Sequence, residues 1–135
     1  AKVLDMGCGT GILAIMAALR GAHDITAIDI DPWCVENATE NVQQNNCDFI
    51  TVKQGEVAAI AGEKYNLILA NINRNILLSD IPAYVQSLLP QGVLLVSGFY
   101  LEDLPAIQEC SQAAGLHYIS HIERNNWASA KFQRI

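Results

Sequence analysis

The sequence predicts an α/β fold: a doubly wound, mostly parallel sheet of seven strands, with one antiparallel strand from a C-terminal hairpin. Three observations support this prediction. Strand-like and helix-like segments alternate along most of the 135 residues, as in βαβ units. The last two strand-like segments are joined only by residues 124–126, a link so short that these strands must be antiparallel. Hydrophobic residues make up 51% of the chain, enough for the core of one domain.

The predicted strands are short apolar or β-branched segments bounded by turn-forming residues. Ile25, Thr26 and Ile28 carry this signal in the second strand. The fourth strand is continuously apolar, which is typical of a strand buried on both faces. In chain order, the predicted strands are Lys2–Met6, Asp24–Ile30, Asp48–Gln54, Tyr65–Ala70, Gly92–Ser97, His117–Glu123 and Trp127–Phe132.

The helices between these strands carry recognisable end signals. Gly21 ends the first helix, and Gly115 ends the fourth. Asp31 and Pro32 begin the second helix, as its capping acceptor and its first residue. Residues 90–92, Pro-Gln-Gly, predict a turn after the third helix. The predicted helices are Ile12–Arg20, Pro32 to about Gln44, about Ile76 to Leu89, and Leu104–Ala114.

Composition disfavours several classes of protein. The net charge of −6 and the pI of about 4.8 argue against direct nucleic-acid binding and suit a cationic ligand. No apolar run approaches the ~20 residues of a membrane helix, and no secretory signal is visible. The four cysteines form no C-x-x-C pair and no metal-ligand grouping with the three histidines. We therefore expect free, mostly buried thiols in a cytoplasmic protein, with no metal site and no membrane contact.

The segment DMGCGTG, residues 5–11, predicts a ligand-binding loop between the first strand and the first helix. Glycines there let the backbone approach a ligand, and the following helix start offers free N–H groups. Dinucleotide sites use the spacing G-x-G-x-x-G/A, but the position counted from Gly7 holds Ile12. The third glycine comes one residue earlier, at Gly11, and the acid Asp5 precedes the loop. This spacing disfavours NAD, and it resembles the pattern of class I S-adenosylmethionine-dependent methyltransferases, which implies S-adenosylmethionine as the ligand.

Acidic residues after the second and third strands extend the predicted site. Asp29 ends the second strand, where a carboxylate can accept hydrogen bonds from both ribose hydroxyls. Ile30 follows and is placed to pack against the adenine face. Glu56, just after the third strand, either faces the adenine amino group, as the resemblance to the methyltransferase pattern implies, or is a solvated loop acid.

Asn71 is the predicted substrate-side residue. It follows the fourth strand in the segment ILANINRN, at the sheet edge that carries the glycine loop. Its amide oxygen can accept a hydrogen bond from an incoming amine and orient the nitrogen lone pair. The alternative is that Asn71 only ends the strand and caps the next helix. The three histidines fall away from this edge, so no side chain is identified as the proton acceptor, and water could take the proton.

Four segments together resemble the catalytic domain of the PrmA-type ribosomal protein methyltransferases, within the class I S-adenosylmethionine-dependent enzymes. These segments are VLDMGCGTGILAIMAAL, AIDIDPWCVENATENVQQN, LILANI and LLVSGF. The resemblance covers nearly the whole chain and implies a Rossmann-like methyltransferase fold that uses S-adenosylmethionine. It implies that Asp5, Gly7, Gly9 and Gly11 line the cofactor, that Asp29 holds its ribose, and that Asn71 faces the reacting amine. The predicted cofactor-binding residues also include Cys8, within the glycine loop, and Asn71.

The resemblance also implies the reaction: methyl transfer to lysine or N-terminal amino groups of a large-subunit ribosomal protein. That family has a separate amino-terminal substrate-recognition domain, so residues 1–135 are expected to be a catalytic domain cut from a longer chain. Three alternatives stay open. They are a methyltransferase acting on another protein or small-molecule amine, a non-catalytic cofactor-binding module, and an NAD-dependent oxidoreductase.

Overall fold

A computed structural model describes all of residues 1–135. Seven strands and four helices follow one another in the chain, with short 3₁₀ turns at Val57–Ile60 and Leu101–Asp103. The strands are β1 (Lys2–Met6), β2 (Asp24–Asp29), β3 (Thr51–Gln54), β4 (Tyr65–Asn71), β5 (Leu88–Tyr100), β6 (Leu116–Arg124) and β7 (Trp127–Arg134). The helices are α1 (Ile12–Leu19), α2 (Pro32–Gln44), α3 (Arg74–Gln86) and α4 (Leu104–Ala113).

One sheet holds all seven strands in the order β3-β2-β1-β4-β5-β7-β6. Strands β1 to β5 pair in parallel, whereas β7 runs antiparallel to both β5 and β6. The predicted doubly wound sheet with one reversed strand is therefore confirmed. In such a sheet the strand order reverses between β1 and β4, and ligands bind at the carboxyl ends of the strands there.

Several element boundaries differ from the prediction. The third helix runs from Arg74 to Gln86 and not from about Ile76 to Leu89, because β5 already begins at Leu88. Two further differences have local physical reasons. Strand β3 starts only at Thr51, because the preceding segment closes a turn through the Ile50 N–H and the Cys47 carbonyl, 2.9 Å apart. The turn predicted at residues 90–92 is wrong, since β5 continues through it. The chain bulges there instead: the register with β4 shifts, and Gln91 has a φ of +68°.

The sheet is covered on both faces by apolar clusters of different size. On one face, α1 and α2 cover a cluster of 11 buried residues that includes Ala14, Ala38 and Val42. On the other, α3 and α4 cover a cluster of 21 buried residues. Tyr84 and Phe132 are among its largest fully buried side chains. This two-sided burial holds the strand ends in fixed positions.

All four cysteines are free, as predicted, but only Cys8 and Cys47 are buried. No helix combines the length and the hydropathy needed to cross a bilayer. No group of three or more His, Cys, Asp or Glu side chains is arranged to hold a metal ion.

Candidate cofactor and substrate site

The glycine loop connects the carboxyl end of β1 to α1 in a backbone conformation that few other residues adopt. Gly7, Gly9 and Gly11 have φ values of +73°, +55° and +82°. The N–H groups of Gly7 and Cys8 both donate to the Ile28 carbonyl of β2, at 2.9 and 3.0 Å. The loop is thus fastened to the neighbouring strand.

Gly7 also allows a close approach between β1 and β4. A Cβ atom at this position would lie 2.9 Å from the carbonyl oxygen of Asn71 and 3.0 Å from Cγ1 of Ile72. Such contacts are too short for any side chain, so only glycine fits. The loop therefore lies directly against the end of β4.

Asp29, at the end of β2, links two loops through its carboxylate. Its Oδ2 accepts a hydrogen bond from the Gly9 N–H at 2.9 Å, and its Oδ1 accepts one from the Asp31 N–H, also at 2.9 Å. Each carboxylate oxygen can accept more than one hydrogen bond, so acceptor capacity remains for a ligand. The capping role at α2 belongs to Asp31, whose Oδ1 accepts from the Trp33 N–H at 2.9 Å.

A cavity of about 450 Å³ opens beside these groups and is called the first cavity below. Five of the predicted site residues line it: Gly7, Asp29, Ile30, Glu56 and Asn71. Its other lining residues were not among the predicted site residues. They are Met6, Gly55, Val57, Ala58, Ile72, Ile76 and Asp80.

The other four predicted residues, Asp5, Cys8, Gly9 and Gly11, do not line this cavity. Asp5 is fully buried behind the loop, and its Oδ2 accepts a hydrogen bond from the Ala14 N–H of α1 at 3.2 Å. Burial raises the pKa of the Asp5 carboxyl to about 6. Gly11 faces α2, where a Cβ atom would meet Ala38 Cβ at 3.2 Å. Asp5 and Gly11 thus connect the loop to α1 and α2 outside the cavity.

The Cys8 thiol is unreactive at neutral pH. Its side chain is buried, and burial, with further contributions from the Asp5 and Asp29 carboxylates, raises the pKa of the thiol to about 12. A thiol with such a pKa is not a nucleophile at neutral pH.

The first cavity is acidic. Three carboxylates line it, from Asp29, Glu56 and Asp80, and no lysine or arginine does. Partial burial, followed by the Glu56 carboxylate, raises the pKa of the Asp80 carboxyl. A cationic ligand is favoured in this field, and a ligand carrying phosphates is disfavoured.

Asn71 lies between two glycines at the carboxyl end of β4. Besides the contact with Gly7, its Oδ1 lies 2.5 Å from the position a Cβ atom would take at Gly98. Gly98 has a φ of +85° and forms a bulge in β5 opposite β7. The alternative role of Asn71 as a helix cap is filled by Asn73, whose Oδ1 accepts from the Ile76 N–H at 3.1 Å. The Asn71 side chain thus remains exposed at the cavity.

A second cavity, of about 430 Å³, adjoins Gly98 on the side formed by α3, β5 and β7. Tyr100 and Trp127 stack there with ring centroids 4.4 Å apart, and both side chains are about half exposed. Arg74 pairs with Asp103 at 3.5 Å. The complete lining is Asn73, Arg74, Asn75, Gly98, Phe99, Tyr100, Asp103 and Trp127.

Sequence reasoning missed Asp80 and the residues of the second cavity. Asp80 carried a weak signal, because Ile76 and Asp80 are spaced i, i+4 and so share a helix face near the end of β4. Gly98 and Trp127 carried none, since their meeting depends on how β7 pairs with β5.

Comparison with known proteins agrees with this architecture. The ribosomal protein L11 methylase of Lactobacillus delbrueckii subsp. bulgaricus superposes with a TM-score of 0.94 at 31% identity, over 98% of this chain and 69% of that one. The N-methyltransferase NodS of Bradyrhizobium japonicum, solved with S-adenosyl-L-homocysteine, has the same fold, with a TM-score of 0.80 at 16% identity, over 99% of this chain and 78% of that one. The chain therefore has the Rossmann-like methyltransferase fold.

Sequence comparison identifies one family among the many that share this fold. The family model of ribosomal protein L11 methyltransferase (PrmA) matches residues 1–135. A ribosomal protein L11 methyltransferase of Phocaeicola vulgatus is 50% identical over 132 residues, which are 97% of this chain and 47% of that protein. One from Chlorobaculum tepidum is 37% identical, over 96% of this chain and 46% of that protein. The chain belongs to the PrmA family, and it spans about half the length of these curated relatives.

Proposed function

We propose that the protein carrying this chain transfers methyl groups from S-adenosylmethionine to lysine or N-terminal amino groups of a ribosomal protein. Ribosomal protein L11 is the substrate named for its relatives. Residues 1–135 form the catalytic domain, and substrate recognition falls to an upstream domain outside them. Such a protein works in the cytoplasm, where its ribosomal substrate is made, without contacting nucleic acid or membrane.

The observation that carries the proposal is the charge of the first cavity. Its three carboxylates, with no lysine or arginine among the lining residues, suit a sulfonium and an ammonium group. The diphosphate of NAD would be repelled by the same groups. This is the physical reason to prefer S-adenosylmethionine over the NAD-dependent alternative.

Each lining residue has a proposed role. Asp29 accepts hydrogen bonds from the ribose hydroxyls with the capacity left by its two backbone contacts. Ile30, which is 60% exposed beside the cavity, packs against the adenine face, and Glu56 faces the adenine amino group. Gly7 and the loop behind it, with Asp5, Cys8, Gly9 and Gly11 in support, keep the backbone close to the cofactor.

The chemistry requires mainly positioning. When bound along Gly7, Asp29 and Ile30, S-adenosylmethionine would supply an activated methyl group for the amine nitrogen and would leave as S-adenosylhomocysteine. Asn71 Oδ1 accepts a hydrogen bond from the neutral amine and aims its lone pair along that line. The stacked rings of Tyr100 and Trp127 hold the amine-bearing side chain by cation–π contact before it loses a proton to water.

The test uses the full-length protein and two measurements. Calorimetric titration should show S-adenosylhomocysteine binding more tightly than NAD, and mass spectrometry should show added methyl groups on ribosomal protein L11. Tighter binding of NAD contradicts the proposal. Binding of the cofactor without methylation of any amine would support the non-catalytic alternative instead.

A further inference from the structure

Asp80 is a cavity residue with no partner in the protein that offsets its charge. It lies on α3, one helical turn after Ile76, and both residues line the first cavity. Burial and the Glu56 carboxylate both disfavour its ionised form, and no hydrogen bond or cation counteracts them. A partly buried carboxyl in this state destabilises the free protein, which indicates a role toward a ligand.

Glu56 approaches the same end of the cavity from another element. It directly precedes the 3₁₀ turn Val57–Ile60 and is exposed, with its side chain unpaired in salt bridges. Two carboxylates from separate elements, the β3–β4 loop and α3, therefore line one cavity together with Val57 and Ala58, and the charge of Glu56 acts on Asp80. Asn71 is the only lining residue whose side chain carries N–H donors.

Tyr84, which does not line the cavity, is a second titratable group on which the Asp80 charge acts. It follows Asp80 by one more turn, is fully buried, and its hydroxyl has no hydrogen-bond partner in the protein. Burial, followed by the Asp80 carboxylate, raises the pKa of this hydroxyl, so it stays protonated. The Tyr84 hydroxyl makes no hydrogen bond to Asp80, so the acceptor capacity of this cavity-lining carboxylate remains for a ligand.

Two interacting acceptors in one cavity, both without a hydrogen-bond donor from the protein, select a ligand group that carries two N–H bonds. We propose that Asp80 and Glu56 each accept one N–H of the exocyclic amine of adenine, which makes Asp80 a residue that selects 6-amino over 6-oxo purines. This inference rests on the proposed function, because it takes the adenosyl cofactor as the ligand. A 6-oxo purine would place a carbonyl oxygen between two carboxylates, losing both hydrogen bonds and adding repulsion.

The test compares two ligands on the full-length protein by calorimetric titration: S-adenosylhomocysteine and its 6-oxo analogue, S-inosylhomocysteine. Asp80→Asn is the main variant, and Glu56→Gln probes the second acceptor from the exposed loop. Glu109→Gln, an exposed carboxylate on α4 outside the cavity, is the matched control. The ratio of the two affinities is the readout, since a general loss of folding would lower both together.

We expect the unaltered protein and Glu109→Gln to prefer the adenosyl ligand. In Asp80→Asn this preference should fall about tenfold, because the amide can donate to a 6-oxo group while the adenosyl contact weakens. An unchanged ratio in Asp80→Asn, with S-adenosylhomocysteine still bound by the unaltered protein, overturns this inference and leaves the proposed function standing. Failure of the unaltered protein to bind S-adenosylhomocysteine overturns both.

Discussion

The two cavities beside Asn71 and Gly98 are built from opposite chemistry. The first cavity is formed by glycine backbone, apolar side chains and three carboxylates, and its loops are fastened by hydrogen bonds to Ile28 and Asp29. The second cavity is formed by a half-exposed aromatic pair and by Arg74, whose ion pair with Asp103 is 3.5 Å long. One side is rigid and acidic, and the other is aromatic and open to solvent.

This difference suits the two cavities to two different ligands. Under the proposed function, the cofactor is matched by the backbone and charge of the first cavity, and the substrate side chain, which must enter and leave, is matched by the aromatic surface of the second. Asn71 and its two flanking glycines form the boundary. Substitutions on either side should therefore affect different measured quantities.

The largest effect should follow Asn71→Ala, at the boundary itself. We expect the methylation rate to fall about 10²–10³-fold, as when other positioned hydrogen-bonding groups are removed from active sites. The Kd for S-adenosylmethionine should change by no more than about twofold. Rate assays and titration check this, with the exposed Gln43→Ala on α2 as control. A loss confined to cofactor binding would move Asn71 wholly to the first cavity.

Behind the first cavity, the Asp5 carboxyl should make stability depend on pH. Its pKa is raised from 3.8 to about 6, so the folded state holds its proton longer than the unfolded state does. The resulting stabilisation is present below about pH 4 and is lost as the pH rises through about 6, by about 3 kcal/mol in all. Denaturant unfolding across this range checks it. Asp5→Asn should flatten the curve, and the exposed Asp48→Asn should not.

Asp29→Ala should weaken cofactor binding by about 1.5–3 kcal/mol, the range for hydrogen bonds to a charged group. From the sequence alone, little change in folding would be expected. The contacts with the Gly9 and Asp31 N–H groups add an expected loss of stability of about 1–3 kcal/mol. Titration and thermal unfolding measure the two effects, with Asp24→Ala at the opposite end of β2 as control. Unchanged affinity would make Asp29 purely structural.

Gly98→Ala should displace the Asn71 side chain, because the added Cβ would lie 2.5 Å from Asn71 Oδ1. We expect the methylation rate to fall about tenfold, since small misplacements of a positioning group are costly. Gly62→Ala is the matched control: its φ of +84° is nearly that of Gly98, at +85°, but no atom lies within 4 Å of the new Cβ. Equal rates in the two variants would show that backbone strain, and not contact with Asn71, is what matters.

The smallest effect should follow Trp127→Leu in the second cavity. Losing half of the aromatic pair should raise the KM for the protein substrate by about two- to fivefold, as expected for an exposed cation–π contact of about 0.5–1 kcal/mol. Cofactor affinity should stay the same. Steady-state kinetics with each substrate varied in turn separate the two. A changed cofactor Kd would mean that the cavities are not independent.

The sequence predicted the fold and the first cavity well where the signals are local. The glycine spacing from Gly7 to Gly11 and the acid at Asp29 sit next to the strands that position them, so their placement follows from the strand order. The structure confirms the predicted sheet, while the cofactor-binding roles of these residues remain predictions.

Other features could not be predicted, because they arise from contacts distant in sequence. Asp80 reaches the cavity only through the packing of α3, and Gly98 meets Asn71 only through a bulge in β5. Pro90 and Gly92 gave a wrong prediction: they have the local character of a turn, yet they lie in an irregular part of β5, between the residues Leu88 and Val93 that pair with β4.

The two backbone hydrogen bonds that Asp29 accepts have a consequence for ligand exchange. They tie the glycine loop and the start of α2 to β2 through contacts within the protein itself. Little chain entropy is then lost when a ligand arrives, and the loops need not reorder when it leaves. The heat-capacity change of binding should accordingly reflect only the apolar surface that the ligand covers, with no added contribution from coupled folding.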